Sequence, residues 1–420
     1  MSLETEVDKP IASVFRRAHI KRRQLSDGKY ESGWEPITSW VVGWGSVESS
    51  IDDVRLNRFR HNGLNLTVSN QTGKFNDETN ASSLFLDYLT RYRTLVRIQA
   101  GYTASDGTEY PTDTTQGIFI LTDELETNAM DNKMVLRCSS LQSIFDEVKA
   151  DSIPSLNVTL TAEGIVTRIR DHTDGSGNFI FREVITSTSW TIQSTSNYYF
   201  LTSTAIDGMT CWDLMSKLAE AEGFVLLINR TGGVEFRNRD PRTTTSAFSF
   251  KGQGYNRQNI IKLTAEKESL NKLYTFFRLK YLEADTSTSY VSTGTGTTVN
   301  TTNIAWKYGN RIYEFENTLV LNTATAQAIT DNLFTSFSTV KKEIQFDAKM
   351  TPHLEVLDRI DVSYVSSAVH FNSLWDVLVW DTDKWSKEGV NFQYNAKNFK
   401  VLSRRLNLDN FAMTIRAREV

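Results

Sequence analysis

The sequence has few of the residues that usually carry catalysis, metal binding or covalent cross-links, since its 420 residues include two cysteines and five histidines. Cys138 and Cys211 could form one disulfide, but two buried free thiols are the expected state in a reducing cytoplasm. No segment approaches the roughly 20 consecutive apolar residues that a membrane-spanning helix needs, and no apolar run follows Met1 as in a signal peptide. We therefore expect a soluble protein that is not exported and has no membrane-spanning segment.

The patterns of common active sites are missing as well. The histidines show no HExxH spacing, no serine lies in GxSxG, and neither cysteine belongs to a CxxC pair. Carboxylates are abundant, but the sequence alone cannot place two of them at the roughly 5 to 9 Å that a glycosidase needs. We therefore predict that the protein is not an enzyme and has no catalytic residues, no cofactor and no metal site. The histidines are His19, His61, His172, His353 and His370.

Two glycine-containing segments match ligand-binding motifs only in part. Residues 171–177 place acidic and glycine residues at spacings found in calcium loops, but they lack the terminal glutamate and the alternating ligands, which favours a hairpin tip. Gly294 and Gly296 lie in a TGTGTT segment that lacks the Lys-Ser/Thr pair and the helix of a phosphate-binding loop. Residues 287–302 are poor in apolar side chains, which predicts a long loop or a hairpin arm.

The net charge of −4 leaves no global field that would attract nucleic acid or anionic membranes. One local basic run occurs near the start of the chain. It could contact DNA inside a channel, or it could belong to an N-terminal arm that binds an acidic neighbour, and the sequence leaves both open. The run consists of Arg16, Arg17, Lys21, Arg22 and Arg23.

The length of the chain favours two or three domains, because one hydrophobic core rarely extends over 420 residues. A content of 40% apolar and 11% aromatic residues is enough to fill those cores. The pattern predicts a mainly β protein with short helices, of the α+β class. We predict three domains. Residues 1–150 form an antiparallel barrel or sandwich, and residues 151–255 form a helix and hairpin region. Residues 256–420 form a second β domain with a Ser/Thr/Gly-rich loop.

Residues 64–102 show the most informative pattern, which predicts a strand, a polar turn, a short helix and a second strand. Leu64, Leu66 and Val68 alternate with polar residues, and Val96 and Ile98 restore the same period of two. Between them, asparagines indicate a turn, and apolar side chains then recur at helical spacing. The predicted helical residues are Leu84, Phe85, Tyr88, Leu89 and Tyr92.

The residues that follow predict hairpins and a closing helix. An Asp-Gly turn lies at 104–107, strands follow at 117–122 and 134–138, and the apolar spacing at 141–148 predicts a helix. A second helix begins at Thr210, which has capping-box spacing to Asp213, and it ends at Gly223.

The second helix has one apolar face, and the segment after it predicts a hairpin. The face consists of Trp212, Met215, Leu218 and Ala219. Residues 224–229 and 234–237 form the predicted strands, and Gly232 and Gly233 lie in the turn between them.

The last third predicts strands at 273–282, a helix at 323–338 with Ile329, Leu333 and Phe337 on one face, and strands up to Val420. Trp375, Trp380 and Trp385 recur every five residues among aspartates. In one uninterrupted strand this spacing puts alternate members on opposite faces, so not all three can be core residues. We predict that they form an interface with another chain; stacking on sugar rings and core packing are the alternatives.

Two of these segments resemble tail hub and baseplate proteins of bacteriophages. In the first segment the matching residues are Asn70, Gly73, Phe75, Asn76, Leu84, Phe85, Val96, Arg97, Ile98, Gly101 and Tyr102. In the second segment they are Ala219, Glu220, Ala221, Glu222, Gly223, Gly232, Gly233 and Phe236. Residues 355–362 and 399–419 are similar to the closing barrel of the same proteins, so the resemblance extends over most of the chain.

The resemblance implies a structural virion protein at the tail tip, made in the host bacterial cytoplasm. Its fold would consist of two tail-tube-like antiparallel β-barrel domains and a middle helix-hairpin domain. Three copies would present six barrels to a sixfold tube, so that the implied partners are the tail tube, distal tail proteins, tip or fibre proteins and two further copies of the chain. The hub would line the DNA passage, with transient contact to translocating DNA left open. The alternative is a receptor- or carbohydrate-binding module at the tail tip, in which Trp375 to Trp385 would bind the ligand.

Overall fold

The computed structural model describes most of the chain, and every structural statement below concerns the described residues. They are residues 13–51, 59–61, 63–76, 81–86, 88–89, 93–128, 132–153, 156, 159–201, 206–252, 258–268, 273–283, 286–292, 309, 311–317, 319–320, 323–337, 341–365 and 393–420.

Strands dominate this part of the chain, and the helices are short, which confirms the predicted mainly β class. The first twelve strands are β1 (Ser13–Lys21), β2 (Arg23–Gln24), β3 (Glu35–Pro36), β4 (Val41–Gly43), β5 (Ser46–Ile51), β6 (Phe59–His61), β7 (Leu64–Ser69), β8 (Tyr88–Leu89), β9 (Leu95–Thr103), β10 (Glu109–Tyr110), β11 (Thr115–Asn128) and β12 (Lys133–Ser140). The next seven are β13 (Thr159–Thr161), β14 (Trp190–Ile192), β15 (Tyr198–Phe200), β16 (Phe224–Ile228), β17 (Val234–Asn238), β18 (Phe248–Lys251) and β19 (Ile260–Glu268). The remaining strands are β20 (Phe276–Glu283), β21 (Thr286–Ser292), β22 (Ile312–Asn317), β23 (Lys342–Lys349), β24 (Arg359–Val365), β25 (Gln393–Asn407) and β26 (Ala412–Glu419). The helices are α1 (Gln142–Glu147), α2 (Ala162–Arg170), α3 (Cys211–Glu222) and α4 (Thr323–Phe337).

The first sheet is antiparallel and has the strand order β3-β1-β9-β11-β12-β7-β4, with β10 added beside β9. Its strands follow the two-residue period of the sequence. Leu64, Leu66 and Val68 on β7 are fully buried, whereas Asn65 between them is exposed. The predicted strands around Ile98 and Leu136 are confirmed in the same way.

The helix expected between 84 and 92 is not present among the described residues of that segment, so this prediction was wrong. Residues 84–86 form turns, and residues 88–89 pair with β2. Phe85 is buried, and the ring of Tyr88 lies 4.1 Å from the guanidinium of Arg22 and donates from its hydroxyl to Glu31 at 2.8 Å. These contacts with residues distant in the sequence outweigh the local preference for a helix, because a helix of two turns gains little stability by itself.

The polar turn before that segment forms as predicted. The side chain of Asn70 accepts a hydrogen bond from the Phe75 amide at 2.9 Å and donates one to Asn76 at 2.7 Å. Gly73 has a φ of 72°, which favours glycine. The Asn70 side chain therefore supplies a hydrogen-bond acceptor to the backbone, which a helix or strand would otherwise provide.

The second sheet combines strands from distant parts of the sequence. Its order is β18-β24-β25-β26-β23-β19, and β5 pairs with residues 403–407 of β25, with β6 beside β5. Residues 46–51 and 59–61 therefore lie in the sheet that the last third of the chain builds. The sequence gives no period or motif for such a long-range pairing. The domain boundaries at 150 and 255 stay predictions.

A middle unit contains α1, α2, α3 and the three-stranded sheet β14-β17-β16. The capping box that the sequence predicts is present at the start of α3: Thr210 accepts from the Asp213 amide at 3.1 Å, and Asp213 accepts from the Thr210 amide at 3.3 Å. Gly223, with a φ of 67°, ends the helix. The predicted apolar face of α3 is confirmed, because Trp212 and Met215 are at most 5% exposed.

The remaining elements form a small unit in which α4 packs on the three-stranded sheet β21-β20-β22. Ile329, Leu333 and Phe337 are buried on one face of α4, as predicted. Part of the Ser/Thr/Gly-rich segment, residues 286–292, forms β21; Gly294 and Gly296 lie outside the described residues.

One apolar core lies between the first and second sheets and includes fully buried side chains from both, such as Leu66, Ile98, Phe346 and Val401. A second core fills the middle unit and the unit around α4. Cys138 and Cys211 are buried free thiols, as predicted. No described helix is long and apolar enough to cross a membrane.

Candidate functional site

The tryptophan segment that the sequence singles out cannot be placed. Trp375, Trp380 and Trp385 lie outside the described residues, so their interface role and the alternative of a receptor- or carbohydrate-binding site both stay predictions.

The basic run near the start of the chain extends from β1 to β2, with Arg22 between the two strands, and its arginines contact other groups of the same chain. Arg17 pairs with Glu109, Arg22 with Glu31 at 2.8 Å and Arg23 with Glu183 at 3.3 Å. Arg16 stacks over the rings of Trp44 and Phe411. The acidic neighbours of this run therefore belong to the chain itself.

The calcium-like segment at 171–177 forms the hairpin tip that the sequence favours. Asp174 accepts backbone hydrogen bonds from Ser176 at 2.8 Å and Asn178 at 2.9 Å, and Thr173 forms a bridge to Phe179. Asp171 pairs with Arg170 at 2.8 Å. Among the residues that the structure describes, no three His, Cys, Asp or Glu side chains come together as metal ligands.

Chemistry-bearing side chains do converge at one place, where the first sheet, the middle unit and the second sheet meet. We call this group the junction cluster; it consists of Arg230, Glu235, Arg242, Glu355, Asp358 and Arg404. Three arginines face three carboxylates, so the formal charges cancel.

Arg404 connects the two large sheets. It lies on β25 and is 1% exposed. Its guanidinium donates to the carbonyl of Leu354 at 2.6 Å and to the carbonyl of Gln116, on β11 of the first sheet, at 3.1 Å. The Gln116 side chain is fully buried as well and donates to the carbonyls of Ala100 and Thr114. A buried arginine thus satisfies backbone acceptors of both halves of the molecule, as buried polar groups require.

Arg230 connects the hairpin of the middle unit to both sheets. It lies in the turn between β16 and β17 and donates to the carbonyls of Asp113 and Thr115, at the start of β11, both at 2.8 Å. Its Nε lies 3.0 Å from a carboxylate oxygen of Glu355, in the loop before β24. The tip of this hairpin is therefore attached to the first sheet and the second sheet at once.

Arg242 completes the cluster just after β17. Its Nη1 lies 3.0 Å from Glu235 and 2.8 Å from Glu355, and its Nε donates to the carbonyl of Val356 at 3.0 Å. Asp358 lies 3.7 Å from the same Nε and accepts the backbone amide of Glu355 at 2.7 Å. One arginine therefore holds carboxylates of the middle unit and of the second sheet together.

Burial dominates the electrostatics of the cluster. It raises the pKa of Asp358 to about 6, although Arg242 acts in the opposite direction. It lowers the pKa of Arg404 to about 10. Burial alone would also lower the pKa of Arg242, but Glu355, Glu235 and Asp358 together hold that pKa above its usual value. The charges are thus removed from water and depend on each other for compensation.

The cluster leaves no room for a substrate. The space beside Asn229, Arg242 and Arg404 is about 10 Å³, which is no more than one water molecule needs. Its side chains can hold parts of the protein together, and the geometry offers no place for a reacting molecule.

The sequence contained one signal for this cluster. Leu402, Arg404 and Leu406 alternate with other residues and lie on the same buried face of β25. The arginine therefore occupies a position at which a buried strand usually has an apolar residue. No local pattern predicts the partners of this arginine, because they come from residues 113–116 and 354–358, far away in the sequence.

We expect Asp358→Asn to change how the stability of the protein depends on pH. Between about pH 4 and pH 6 the folded protein holds the Asp358 proton, whereas the unfolded chain, with an ordinary pKa of 3.8, has released it. The wild type should therefore gain stability relative to the variant as the pH falls through this window, by at most about 1.4 kcal/mol per pH unit. Urea unfolding at several pH values measures the difference. The exposed Asp207→Asn is the control, and parallel curves for wild type and Asp358→Asn would contradict the burial of this charge.

The hairpin tip beside Arg230 packs closely on the first sheet. Gly232 has a φ of +82°, and a Cβ there would lie 3.2 Å from Ile118 on β11 and from Leu141. A methyl group at this position would force the Ile118 and Leu141 side chains to shift by a few tenths of an ångström.

We expect Gly232→Ala to lower the free energy of unfolding by about 2–4 kcal/mol, through left-handed backbone strain and overpacking together. Gly107 offers a matched control, because its φ is also +82° but a Cβ there would meet nothing within 4 Å. Gly107→Ala should cost about 1–2 kcal/mol from strain alone. If urea unfolding shows that Gly232→Ala and Gly107→Ala lower the free energy of unfolding equally, the hairpin tip does not pack on the first sheet.

Neither a family model nor a curated protein matches the sequence. In three dimensions the chain is similar to a tail protein from Neisseria meningitidis MC58, with 9% identity and a TM-score of 0.52 over 97% of this chain and 96% of that one. It is also similar to a prophage tail protein from Listeria monocytogenes EGD-e, with 13% identity and a TM-score of 0.49 over 95% and 94% of the two chains. The 43 kDa tail protein of prophage MuSo2 from Shewanella oneidensis gives 12% identity and a TM-score of 0.48 over 96% and 98%.

At such low identity the likeness concerns the fold. The match to the Neisseria protein extends over nearly the full length of both chains, so it includes both sheets and the two smaller units. This chain therefore has the fold of that tail protein.

Proposed function

We propose that the chain is a structural virion protein, a hub at the tail tip or baseplate that joins the tail tube to distal tip or fibre proteins. The observation that carries the proposal is the full-length likeness in fold to a solved tail protein. The protein is made in the cytoplasm of the host bacterium and acts in the virion. Its function is assembly, and no enzymatic step belongs to it.

The internal construction of the molecule supports this role. The two large sheets share one apolar core, and the junction cluster attaches the middle unit to both of them. A hub must keep the surfaces for different partners in a fixed relation. A buried cluster that contacts all three parts of the chain favours such a fixed relation, because separating the parts would leave charges buried without partners.

We further propose a homotrimer, in which each subunit contributes two tube-like barrel domains to a ring that matches a sixfold tube. In the described part of the chain, β4 ends the first sheet and β19 ends the second. Both carry an exposed branched apolar side chain, Val42 at 55% and Ile261 at 63%. Strand edges of this kind are usually covered, and a closed ring covers each with a neighbouring subunit.

The solvent face of the second sheet is the surface that we assign to the DNA passage. Glu48, Arg405, Thr414 and Asp347 lie directly across from one another on four neighbouring strands. The row borders an open groove of about 450 Å³ that Arg416 also lines, so that two arginines balance the carboxylates of Glu48 and Asp347. Balanced charge suits a passage, because a strongly basic wall would retain DNA by releasing its counterions.

The purified protein should form trimers or larger rings, alone or on meeting its tube or tip partner, as measured by light scattering. Ile261→Glu should shift the distribution towards monomers, since it places a charge on a covered edge. Leu25→Glu, at a residue that is 62% exposed in the turn after β2, should leave the distribution unchanged. A strict monomer under all of these conditions would contradict the hub.

A further inference from the structure

A stack of three aromatic rings joins the two apolar cores, and its middle member is the buried histidine His61 on β6. The imidazole lies 4.9 Å from the ring of Phe119 on β11 and 6.2 Å from the ring of Phe59, with interplanar angles of 15° and 16°. Phe119 belongs to the core between the two large sheets, whereas Phe59 belongs to the core of the middle unit. The histidine therefore lies where the two cores meet.

The surroundings of this ring suit a neutral imidazole. Its Nδ1 lies 3.4 Å from the hydroxyl of Ser140, and its Nε2 is buried without a hydrogen-bond partner among the described residues. A protonated imidazole donates from both nitrogens. Protonation would therefore bury a charge and leave one of its donors unpaired, and both effects oppose it.

Within the described part of the chain, the charge that acts on His61 is positive. Ser49 on β5 lies directly across from His61 on β6 and from Arg404 on β25, so the three side chains form one row on the buried face of the sheet. Glu48 and Arg60 adjoin this row, but strand alternation directs them to the opposite face. The apolar strand β16, which packs on β6, has no titratable side chain.

Burial lowers the pKa of His61 to about 3, and Arg404 acts in the same direction. Glu355 and Asp358 favour the charged form of Arg404. Histidine in an unfolded chain keeps its ordinary pKa of 6.5, so the unfolded chain binds more protons in acid than the folded protein does. The stability that the neutral ring contributes is therefore complete above pH 6.5 and is lost as the pH falls towards 3.

We propose that the His61 stack is an acid-sensitive contact between the two cores. When the ring is protonated it leaves the stack, β6 separates from the first sheet, and the core between the two sheets opens. The two cysteines can report this opening, because Cys138 belongs to the core between the sheets and Cys211 to the core of the middle unit. The proposal is independent of the hub function.

The first test compares urea unfolding of the full chain at pH 7 and pH 4 in the wild type and in His61→Phe, which keeps a ring in the stack. Over this interval the unfolding equilibrium constant of the wild type should rise roughly a hundredfold relative to that of the variant. Only the change with pH is compared, so a variant that is less stable at pH 7 remains informative, and His61→Gln gives a second comparison. A change of the same size in the wild type and both variants would overturn the proposal.

His172→Phe is the matched control for this test. His172 is half-buried, and Asp174 acts to raise its pKa, against the effect of burial. The change with pH in this variant should therefore stay within about tenfold of the wild type. A larger departure would mean that the pH dependence does not come from the His61 stack.

The second test locates the opening by the reaction of the two thiols with dithiodipyridine, with mass spectrometry of the peptides to distinguish them. From pH 7 to pH 5 the rate at Cys138 relative to that at Cys211 should rise about tenfold in the wild type and stay constant in His61→Phe. A constant ratio in the wild type would mean that acid unfolds both cores together, which would overturn the proposal. A rise that persists in His61→Phe would overturn it as well.

Discussion

Arg404→Met should destabilise the protein by about 3–5 kcal/mol, the range for breaking a buried charged network by removing one partner. Methionine keeps much of the volume but cannot donate to the carbonyls of Leu354 and Gln116, which would remain buried and unpaired. It also removes one of three positive charges that balance Glu355 and Asp358. Both sheets lose the same donor, so the loss should appear as lower stability of the whole fold.

The neighbouring Arg405 is a matched control, because it is exposed on the opposite face of the same strand. Arg405→Met should change the free energy of unfolding by less than about 0.5 kcal/mol, as surface substitutions usually do. Urea unfolding followed by tryptophan fluorescence measures both variants. Similar midpoints for Arg404→Met and the wild type would mean that this side chain does not connect the sheets.

Trp212→Ala should cost about 3–5 kcal/mol, because it empties a large volume in the core of the middle unit. Trp212 is 5% exposed, and its ring lies 5.8 Å from that of Phe145 on α1. Phe145 in turn stacks on Phe181 at 4.6 Å and meets Trp190 edge-on at 5.7 Å. The substitution therefore opens a cavity beside Phe145, the central ring of an aromatic cluster that joins α1 to α3.

Trp212→Phe is the companion variant, since phenylalanine retains the aromatic contact with Phe145 and fills most of the space. It should lose less than half of the stability that Trp212→Ala loses, as measured by thermal and urea unfolding. A melting temperature that is unchanged in Trp212→Ala would show that this face of α3 is not a core face.

Local features of the sequence predicted local structure well. The capping box at Thr210, the apolar face of α3 and the glycine turn after β16 depend on residues within a few positions of each other, and the structure has each of them. The same holds for β7 and β12, whose alternation follows from having one face in the core.

Features that depend on distant partners were missed or wrong. The segment at 84–89 has helical spacing, but Arg22 and Glu31 bind Tyr88 and favour a short strand instead. The pairing of β5 with β25 joins residues more than 350 positions apart, for which the sequence holds no local signal. The junction cluster also lacks a local signal in the sequence, because its members come from distant parts of the chain and are neighbours only in the folded protein.

Electron-microscopy class averages of the purified protein, alone and with its tube or tip partner, test the proposed hub most directly. The proposal predicts rings with threefold symmetry and a continuous lumen, with the Glu48 to Asp347 row of the second sheet facing that lumen. Single copies in every preparation, or closed assemblies without a lumen, would contradict it.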